Sequence, residues 1–437
     1  MGARETALNV LIACRKEDGW SNGVLKEYIT RDRLDRRDAA LATRLCYGVV
    51  QNRNLLDFYL AQLLTGKVKS LHPAVRDILH LGLYQLFLMD KIPESAAVNE
   101  SVDLAKKYCK KVRSAPGLVN GVLRNAVRSR DTMQQPKSWE DKYSHPADLI
   151  NELKSYVGKA HMEKMLQANN DIPPMVVQVN TLKTTAAALT AMLEASGVTA
   201  VPHSWMENAL ILSGTGSVEQ LSAFKEGLFY VQDPASKLSV LCADLPKENI
   251  KVLDCCAAPG GKSFAAAIAT EGKAQITSCD FYAHKAELIA KGAERLGLPI
   301  TAMQQDATVF RPAWEAAFDG VIVDAPCSGY GIIRKKPDIR YKDIKKMKEL
   351  PALQRSILEV QCRYVKPGGL LMYSTCTLVH EENEGMVESF LKDHPEFQLE
   401  PLPLPDVFAK NDSGMLALIP GEYDTDGFFI SRLRRKL

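Results

Sequence analysis

Two cysteines stand at the ends of apolar, β-branched stretches in the C-terminal half of the chain. Cys327 directly follows DGVIVDAP (319–326), and Cys376 lies near the end of GGLLMYSTCT (368–377). A cysteine thiolate is a nucleophile that can form covalent intermediates, although a single buried cysteine is usually an inert apolar residue. Asp324 adds a carboxylate three positions before Cys327. If the two stretches form neighbouring strands, two thiols and a carboxylate converge on one pocket.

A glycine-rich turn is the second feature with chemical potential. In DCCAAPGGKS (254–263), an apolar stretch ends in Pro-Gly-Gly and enters a predicted helix near Ser263. Gly260 and Gly261 let a ligand approach the backbone closely and meet its N–H groups. The turn matches neither G-x-G-x-x-G nor the Walker A loop, whose first glycine is replaced by Cys256. Taken alone, it is equally consistent with an ordinary strand-to-helix turn.

Acidic residues end two further predicted strands. Asp280 lies near the end of ITSCDF (276–281), about twenty residues beyond the glycine turn, and Asp306 ends ITAMQQD (300–306). A carboxylate in the position of Asp280 suits the two hydroxyls of a ribose, and Asp306 suits an adenine edge. Each residue alone reads equally well as a helix N-cap. Together with the glycine turn, they predict a nucleoside site.

The elements that must position these residues alternate between strands and helices over residues 231–437. KVLDCC (251–256) begins a series of predicted strands, and helical patterns such as 283–296 separate them. This order predicts an α/β fold with a doubly wound, mostly parallel sheet, in which ligands bind at the carboxyl ends of the strands. The chemically interesting residues all fall at those ends.

The N-terminal part has a different character. Val75, Ile78, Leu79 and Leu83 recur at helical spacing behind Pro73, and similar patterns run through the first 130 residues. They predict an all-α bundle. Residues 1–140 carry 23 Lys and Arg against 15 Asp and Glu, a net charge of +8, whereas the rest of the chain carries −5. This excess is consistent either with an anionic partner or with a solvated helical surface.

These patterns predict a multidomain chain of three parts, which are residues 1–140, 141–230 and 231–437. The middle part contains predicted strands at 175–180 and 208–212 and a helix at 184–196. It therefore reads as a small α+β piece that connects the other two, and it carries no evident chemistry.

Composition excludes several classes of protein. With 437 residues, 46% hydrophobic and 24% charged, the chain is long enough for sizeable cores and is neither disordered nor a disulfide scaffold. We expect no membrane span and no signal peptide. The ten cysteines lack zinc-ligand spacing, so we expect no metal site, free thiols and a cytoplasmic location.

The N-terminal part resembles the NusB-type RNA-binding helical domain over about 130 residues. The segments that carry the resemblance are RETALNVLIAC (4–14), LDRRDAALATRLCYGVVQNRNLLD (34–57), HPAVRDILHLGLYQLFLMDKIPESAAVNESVDLAKKY (72–108) and GLVNGVLRNAV (117–127). The resemblance implies that this bundle contacts RNA.

Residues 231 to about 435 resemble the RNA 5-methylcytosine methyltransferases that use S-adenosylmethionine on a Rossmann-like domain. The glycine turn, the acidic strand ends and the two cysteine motifs carry this resemblance. With the NusB-like part in front, the whole chain resembles the Fmu/Sun type of bacterial 16S rRNA cytosine-C5 methyltransferase. The resemblance implies that the cofactor is held by Ala257, Ala258, Pro259, Gly260, Gly261, Lys262, Ser263, Asp280, Asp306 and Asp324. Lys262 is expected to neutralise the carboxylate of its methionine portion.

The resemblance also assigns roles in the reaction. It implies that Cys376 adds to C6 of cytosine, which makes C5 nucleophilic enough to accept a methyl group. Cys327 then assists elimination of the enzyme. Asp324 holds or donates to N3 and the amino group, which requires a raised pKa or a shared proton.

A basic stretch follows Cys327 and is a candidate RNA clamp. Residues 331–350 contain eight Lys and Arg against three Asp and Glu, and an ordinary charged helix is the alternative. The residues predicted to contact RNA are Arg334, Lys335, Lys336, Arg340, Arg36 and Arg37. The expected partner is 16S rRNA, naked or at an early stage of assembly. We infer neither a membrane partner nor an obligate protein partner.

Two other functions stay open at this point. The same chemistry on tRNA is one, although tRNA-acting relatives usually lack the NusB-like part. A catalytically idle RNA-binding or assembly factor is the other, and the presence of both Cys327 and Cys376 argues against it. A DNA cytosine methyltransferase is disfavoured because those enzymes use the cysteine of the Pro-Cys motif as nucleophile and lack the second cysteine.

Overall fold

The computed structural model describes residues 1–16 and 22–437. The chain divides into two compact units, of which the first contains residues 1–154 and 335–342 and the second contains residues 155–334 and 343–437. The short segment 335–342 therefore belongs to the helical unit, although it lies in the C-terminal half of the sequence. The division into three parts at residues 140 and 230 stays a prediction.

The described residues of the first unit form helices joined by short loops, as the apolar spacing predicted. The helices are α1 (Ala3–Lys16), α2 (Asn22–Arg31), α3 (Arg36–Gln51), α4 (Arg53–Leu63), α5 (Pro73–Leu88), α6 (Glu94–Tyr108), α7 (Ala115–Ser129), α8 (Trp139–Lys142) and α9 (Ala147–Val157), whose last residues belong to the second unit. Pro73 lies in the first turn of α5, where a missing N–H costs nothing. The apolar faces of α1 to α7 form one core.

The second unit begins with a small antiparallel sheet. Its elements are α10 (Lys159–Ala168), β1 (Met175–Val179), α11 (Ala186–Ala195), β2 (Thr199–Pro202), β3 (Ala209–Ser213), α12 (Ser222–Lys225) and β4 (Phe229–Val231). The strand order is β2-β3-β1-β4. The two strands and the helix predicted for this segment are confirmed to within two residues at each end.

A larger sheet follows and positions the candidate site. Its elements are α13 (Pro234–Leu241), β5 (Lys251–Asp254), α14 (Gly261–Ala269), β6 (Gln275–Asp280), α15 (Ala283–Leu296), β7 (Ile300–Gln304), β8 (Phe318–Asp324), α16 (Ile344–Met347), α17 (Leu350–Gln361), β9 (Val365–Thr375), α18 (Glu384–Asp393), β10 (Phe397–Leu399), β11 (Met415–Leu418) and β12 (Phe428–Arg435). The strand order is β10-β12-β9-β8-β5-β6-β7, and β11 pairs with β12.

The pairing confirms the predicted mostly parallel sheet and adds an antiparallel part. Strands β7, β6, β5, β8 and β9 are parallel, so their carboxyl ends meet at one edge. Strands β10, β11 and β12 add antiparallel pairs beyond β9, which the sequence patterns did not predict. The central strands are buried among helices and carry apolar residues such as Leu253, Val321 and Leu371.

Two sequence expectations concern features outside the sheet. Among the helices of the described residues, none combines the length and apolar character that crossing a bilayer requires. Within the same part of the chain, no group of three or more His, Cys, Asp and Glu side chains is arranged to hold a metal ion.

Candidate active site

The two cysteine motifs meet at the ends of adjacent parallel strands. Asp324, the last residue of β8, pairs in register with Ser374 of β9. The loops that follow bring the Sγ atoms of Cys327 and Cys376 to 3.2 Å from each other. Both residues are partly exposed. The predicted convergence of two thiols and a carboxylate is therefore confirmed, because the order of the strands makes these two loops neighbours.

The environment of Cys327 favours its protonated form. Its hydrogen bond with Cys376 raises the pKa of Cys327 well above the ordinary value for a thiol, and burial adds to this effect. The negative charges of Glu382 and Asp324 act in the same direction. A proton held on Cys327 can be donated toward the sulfur of Cys376, so the pair can share one proton and one negative charge.

The carboxylate of Asp324 has two partners on the chain. Its Oδ2 lies 2.6 Å from Nζ of Lys262, and its Oδ1 accepts a hydrogen bond of 2.9 Å from Oγ of Ser374. Lys262 is 7% exposed and also donates to Oγ of Ser236 at 3.0 Å. The side chain of Asp324 is 31% exposed, so only the lysine end of this ion pair is shielded from solvent. The structure thus gives Lys262 a partner within the chain, whereas its predicted pairing with a cofactor carboxylate stays a prediction.

The glycine turn has a backbone that only glycine adopts easily. Gly260 has φ +109°, and a Cβ at this residue would stand 2.4 Å from the ring of Phe264. The turn follows a cis peptide bond between Ala258 and Pro259 and leads into α14, whose first residue is Gly261. The N–H groups in the first turn of a helix lack partners within the helix and attract anions. The turn therefore fits a ligand that carries a carboxylate.

Asp254 and Ser263 fix the base of this turn. Oγ of Ser263 donates to Oδ2 of Asp254 at 2.7 Å and accepts from Oγ of Ser278 at 2.7 Å. Burial raises the pKa of Asp254 to about 7, and the hydrogen bond from Ser263 opposes this shift only in part. The hydroxyl of Ser263 is buried in these contacts, and its contact with the cofactor stays a prediction.

The two acidic strand ends also shape their own loops. Oδ1 of Asp280, at the end of β6, accepts from the N–H of Tyr282 at 3.1 Å. Asp306 lies two residues beyond the end of β7, and its Oδ1 accepts from N and Oγ1 of Thr308 at 2.9 and 2.7 Å. Each carboxylate has one oxygen engaged in this way. Both lie at the same edge of the sheet as the glycine turn, and their contacts with a nucleoside stay predictions.

Comparison with known proteins agrees with this geometry. Family models match three successive parts of the chain, which are NusB at residues 1–128, the ferredoxin-like domain of RsmF/B-like methyltransferases at 145–219, and 16S rRNA methyltransferase RsmB/F at 242–434. The probable ribosomal RNA small subunit methyltransferase B of Bacillus subtilis is 36% identical, over 99% of this chain and 98% of its own. The chain belongs to the RsmB/F family of 16S rRNA methyltransferases.

Two further relatives support this membership. The ribosomal RNA small subunit methyltransferase B of Vibrio cholerae is 34% identical over 92% of this chain and 90% of its own. The crystal structure of PH0851 superposes with a TM-score of 0.82 at 26% identity and covers 99% of each chain. This member of the RsmB/F family therefore has a solved structural relative over 99% of its length, and it is an RNA methyltransferase by family.

Two of the arginines predicted to contact RNA are engaged in ion pairs or hydrogen bonds within the chain, and their contact with RNA stays a prediction. Arg340, in the first unit, is 2% exposed, and its Nη1 donates to backbone carbonyls of Gln51 and Ser144 at 2.7 and 3.1 Å. The side chain of Arg334 is 8% exposed and pairs with Asp426 at 2.8 Å.

The other predicted RNA contacts lie where a nucleic acid can reach them. Arg36 and Arg37 are exposed in the first turn of α3, and Lys336 is exposed while Lys335 is partly exposed. Cations on an open surface suit phosphates. Their contact with RNA stays a prediction.

Sequence reasoning missed a buried polar network behind the two cysteines. Glu382 bonds to Ser328, which follows Cys327, and Ser328 bonds to Thr377, which follows Cys376. A signal for it existed, because Cys327 and Cys376 of this RsmB/F family member are each followed directly by a hydroxyl residue. The motifs were interpreted from the cysteines alone, so the hydroxyl residues received no role.

Proposed function

We propose that this chain transfers a methyl group from S-adenosylmethionine to C5 of a cytosine in 16S rRNA. The observation that carries the proposal is the pair of sulfur atoms of Cys327 and Cys376, 3.2 Å apart beside the ion pair of Asp324 and Lys262. A reaction that needs one nucleophile and one proton acceptor on the same ring requires two such groups side by side. Membership of the RsmB/F family supports the choice of rRNA.

Cys376 is the proposed nucleophile. Its sulfur adds to C6 of the cytosine, which breaks the C5–C6 double bond and places electron density on C5. The activated C5 then attacks the methyl group. Because Cys327 keeps its own proton, it donates toward the sulfur of Cys376 and stabilises the negative charge that this sulfur needs for attack.

Cys327 is the proposed base in the release step. Once the sulfur of Cys376 is bonded to C6, it no longer carries a negative charge that raises the pKa of Cys327. Cys327 therefore loses its proton more readily after the addition than before it. Its thiolate removes the proton from C5, the C5–C6 double bond forms again, and the electrons of the C–S bond return to Cys376. The products are methylated cytosine, S-adenosylhomocysteine and free enzyme, and the proton that Cys327 lost before elimination passes to water.

Asp324 and Lys262 are the proposed holders of the base. A carboxylate accepts hydrogen bonds from the exocyclic amino group of cytosine, and the contacts with Lys262 and Ser374 orient Asp324 for this role. As Cys376 adds, electron density moves onto the ring. The ammonium of Lys262 lies next to Asp324 and offsets that charge.

The residues of the glycine turn fit the proposed cofactor. The start of α14 offers N–H groups to a carboxylate, and Asp280 offers an acceptor to ribose hydroxyls. S-adenosylmethionine supplies a methyl group on a positively charged sulfur. The side chain of Phe264 fills the space behind Gly260, so the backbone of the turn is held open toward the ligand.

The substrate must present its cytosine outside a duplex, because C6 and C5 cannot be reached in stacked base pairs. We propose that the NusB-like helices hold rRNA through exposed cations such as Arg36 and Arg37, in the cytoplasm, where ribosomes assemble. Naked or early-assembly 16S rRNA is the proposed form of the substrate.

The test is a methyl-transfer assay with labelled S-adenosylmethionine. Naked 16S rRNA, 30S particles and bulk tRNA are offered in parallel, and the methylated nucleosides are identified by mass spectrometry. We expect 5-methylcytosine in naked 16S rRNA. Label in tRNA would overturn the substrate but keep the chemistry. No label in any RNA, with the cofactor still bound, would overturn the proposed activity and favour an idle RNA-binding factor.

A further inference from the structure

A buried carboxylate lies behind the two cysteine loops, and the reaction described above gives it no role beyond the effect of its charge on the pKa of Cys327. Glu382 is 2% exposed. Its Oε1 accepts a hydrogen bond of 2.6 Å from Oγ of Ser328, and its Oε2 accepts one of 3.0 Å from the N–H of the same residue. Ser328 directly follows Cys327, so Glu382 holds the loop of the first cysteine by both the side chain and the backbone.

The same network reaches the loop of the second cysteine. Oγ of Ser328 lies 2.6 Å from Oγ1 of Thr377, which directly follows Cys376. Because the hydroxyl proton of Ser328 points to Glu382, Thr377 is the donor in this second contact. A chain of two hydrogen bonds therefore joins Glu382, Ser328 and Thr377, and it links the two loops one residue beyond each sulfur atom.

Further contacts tie the carboxylate to the surrounding frame. Nε2 of Gln354 donates to Oε2 of Glu382 at 2.8 Å and to the carbonyl of Pro326, just before Cys327, at 3.0 Å. The hydroxyl of Tyr373, on β9, donates to the backbone carbonyl of Glu382 at 2.6 Å. The residue before Cys327 and the residue after it are thus both held by hydrogen bonds, from Gln354 and to Glu382 respectively.

A buried carboxylate at this place needs an explanation. Burial raises the pKa of Glu382, and the hydrogen bonds from Ser328 and Gln354 act against that shift. Those donors are neutral, and burying a charge among neutral donors is costly compared with leaving an apolar residue in the same space. An apolar side chain at position 382 would give a more stable fold. The presence of a carboxylate there is therefore better explained by its hydrogen bonds to the two cysteine loops.

We propose that Glu382 is a positioning residue that sets the distance between the sulfur atoms of Cys327 and Cys376 by way of Ser328 and Thr377. The proposal rests on the proposed function, because that distance matters only if both sulfurs act on one base. Loss of the carboxylate frees Ser328 from its anchor, and the two loops then separate.

The experiment measures the sulfur-to-sulfur distance and catalysis separately. Diamide converts two neighbouring thiols to a disulfide and takes up their two hydrogens, so the rate at which it joins Cys327 to Cys376 reports how close they are. Peptide mass spectrometry quantifies that disulfide. Glu382→Ala is compared with Glu381→Ala, which changes the adjacent, exposed glutamate. We expect the disulfide to form at least tenfold more slowly in Glu382→Ala and at the wild-type rate in Glu381→Ala.

Methyl transfer gives the second readout. We expect kcat of Glu382→Ala to fall at least tenfold, with the Kd for S-adenosylmethionine within about threefold of wild type. Glu382→Gln keeps one acceptor oxygen for Ser328 and Gln354, so it is expected to recover part of both rates. If Glu382→Ala does not fold, Thr377→Val removes only the hydroxyl that joins the loops and is expected to slow both rates about threefold.

The outcomes separate the two proposals. Wild-type rates of disulfide formation and methylation in folded Glu382→Ala, or in Thr377→Val, would overturn the positioning role. A lowered melting temperature with an unchanged disulfide rate would also overturn it, because it would assign Glu382 to stability alone. If the wild-type enzyme made no 5-methylcytosine, the proposed function would fail, whereas the disulfide rates would still test the positioning of the sulfurs.

Discussion

Replacing Arg340 with methionine is expected to destabilise the helical unit and to leave RNA binding nearly unchanged. Nη1 of Arg340 donates to the backbone carbonyls of Gln51, Ser144 and Tyr143 at 2.7, 3.1 and 3.4 Å. Burial lowers the pKa of Arg340 to about 10, so the side chain is still a cation at neutral pH. Methionine fills a similar length of the buried space but offers no hydrogen-bond donor.

The size of the effect follows from these three contacts. Each buried carbonyl that loses its donor costs about 1–3 kcal/mol. The longest contact is weak, so we expect a total near 4 kcal/mol, as is typical when one partner of a buried charged interaction is removed. At about 2–4 °C per kcal/mol for a unit of this size, the melting temperature of the helical unit falls by about 10 °C.

Scanning calorimetry at neutral pH measures this shift, and a filter-binding assay at several salt concentrations measures RNA affinity. Lys336→Met is the matched control, because it removes an exposed cation from the same segment. We expect Lys336→Met to melt like wild type. A wild-type melting temperature in Arg340→Met, together with a weaker salt dependence of RNA binding, would contradict our account and return Arg340 to the RNA surface.

Three further predictions concern the methyltransferase sheet. Because burial raises the pKa of Asp254 to about 7, its contribution to stability is present at low pH and is lost as pH rises to 7. Relative to Asp254→Asn, wild type should lose about 3 kcal/mol of unfolding free energy between pH 5 and 8 in denaturant titrations. An equal dependence of the unfolding free energy on pH in both proteins would contradict this. Lys262→Met removes the cation beside Asp324, so kcat should fall at least tenfold. Calorimetry should show a cofactor affinity within threefold of wild type. Normal kcat with weak cofactor binding would instead place Lys262 on the cofactor carboxylate. The residue at position 260 has φ +109°, and Gly260→Ala would place a Cβ 2.4 Å from the ring of Phe264. Cofactor affinity should therefore fall at least tenfold. A wild-type affinity would contradict the need for glycine in this turn.

Much of the site was predictable because parallel strands obey simple rules. The meeting of Cys327 and Cys376 followed from the alternation of strands and helices, since consecutive parallel strands end at one edge. The register that places Asp324 beside Ser374 was not predicted from the sequence. Apolar spacing was likewise enough to predict the helical bundle of the first unit.

The rest depends on tertiary contacts between residues far apart in sequence. Charge density between residues 331 and 350 did not reveal that Arg340 and Arg334 are buried, because their partners lie about 290 and 90 residues away. The role of Glu382 was not predicted for a similar reason, because its hydrogen-bond partner Ser328 lies 54 residues away in the sequence. The short antiparallel strands β10 and β11 carried too few residues to stand out as a pattern.

The central claim is that Cys376 bonds covalently to the target cytosine and that Cys327 is needed to release it. The most direct test incubates Cys327→Ala with 16S rRNA and S-adenosylmethionine, isolates any protein–RNA complex that survives denaturing electrophoresis, and maps the linked peptide by mass spectrometry. Cys327→Ala with Cys376→Ala in the same chain is the control. We predict an adduct through Cys376 in the single variant and none in the double variant. Normal turnover by Cys327→Ala, or an adduct that persists without Cys376, would contradict the account.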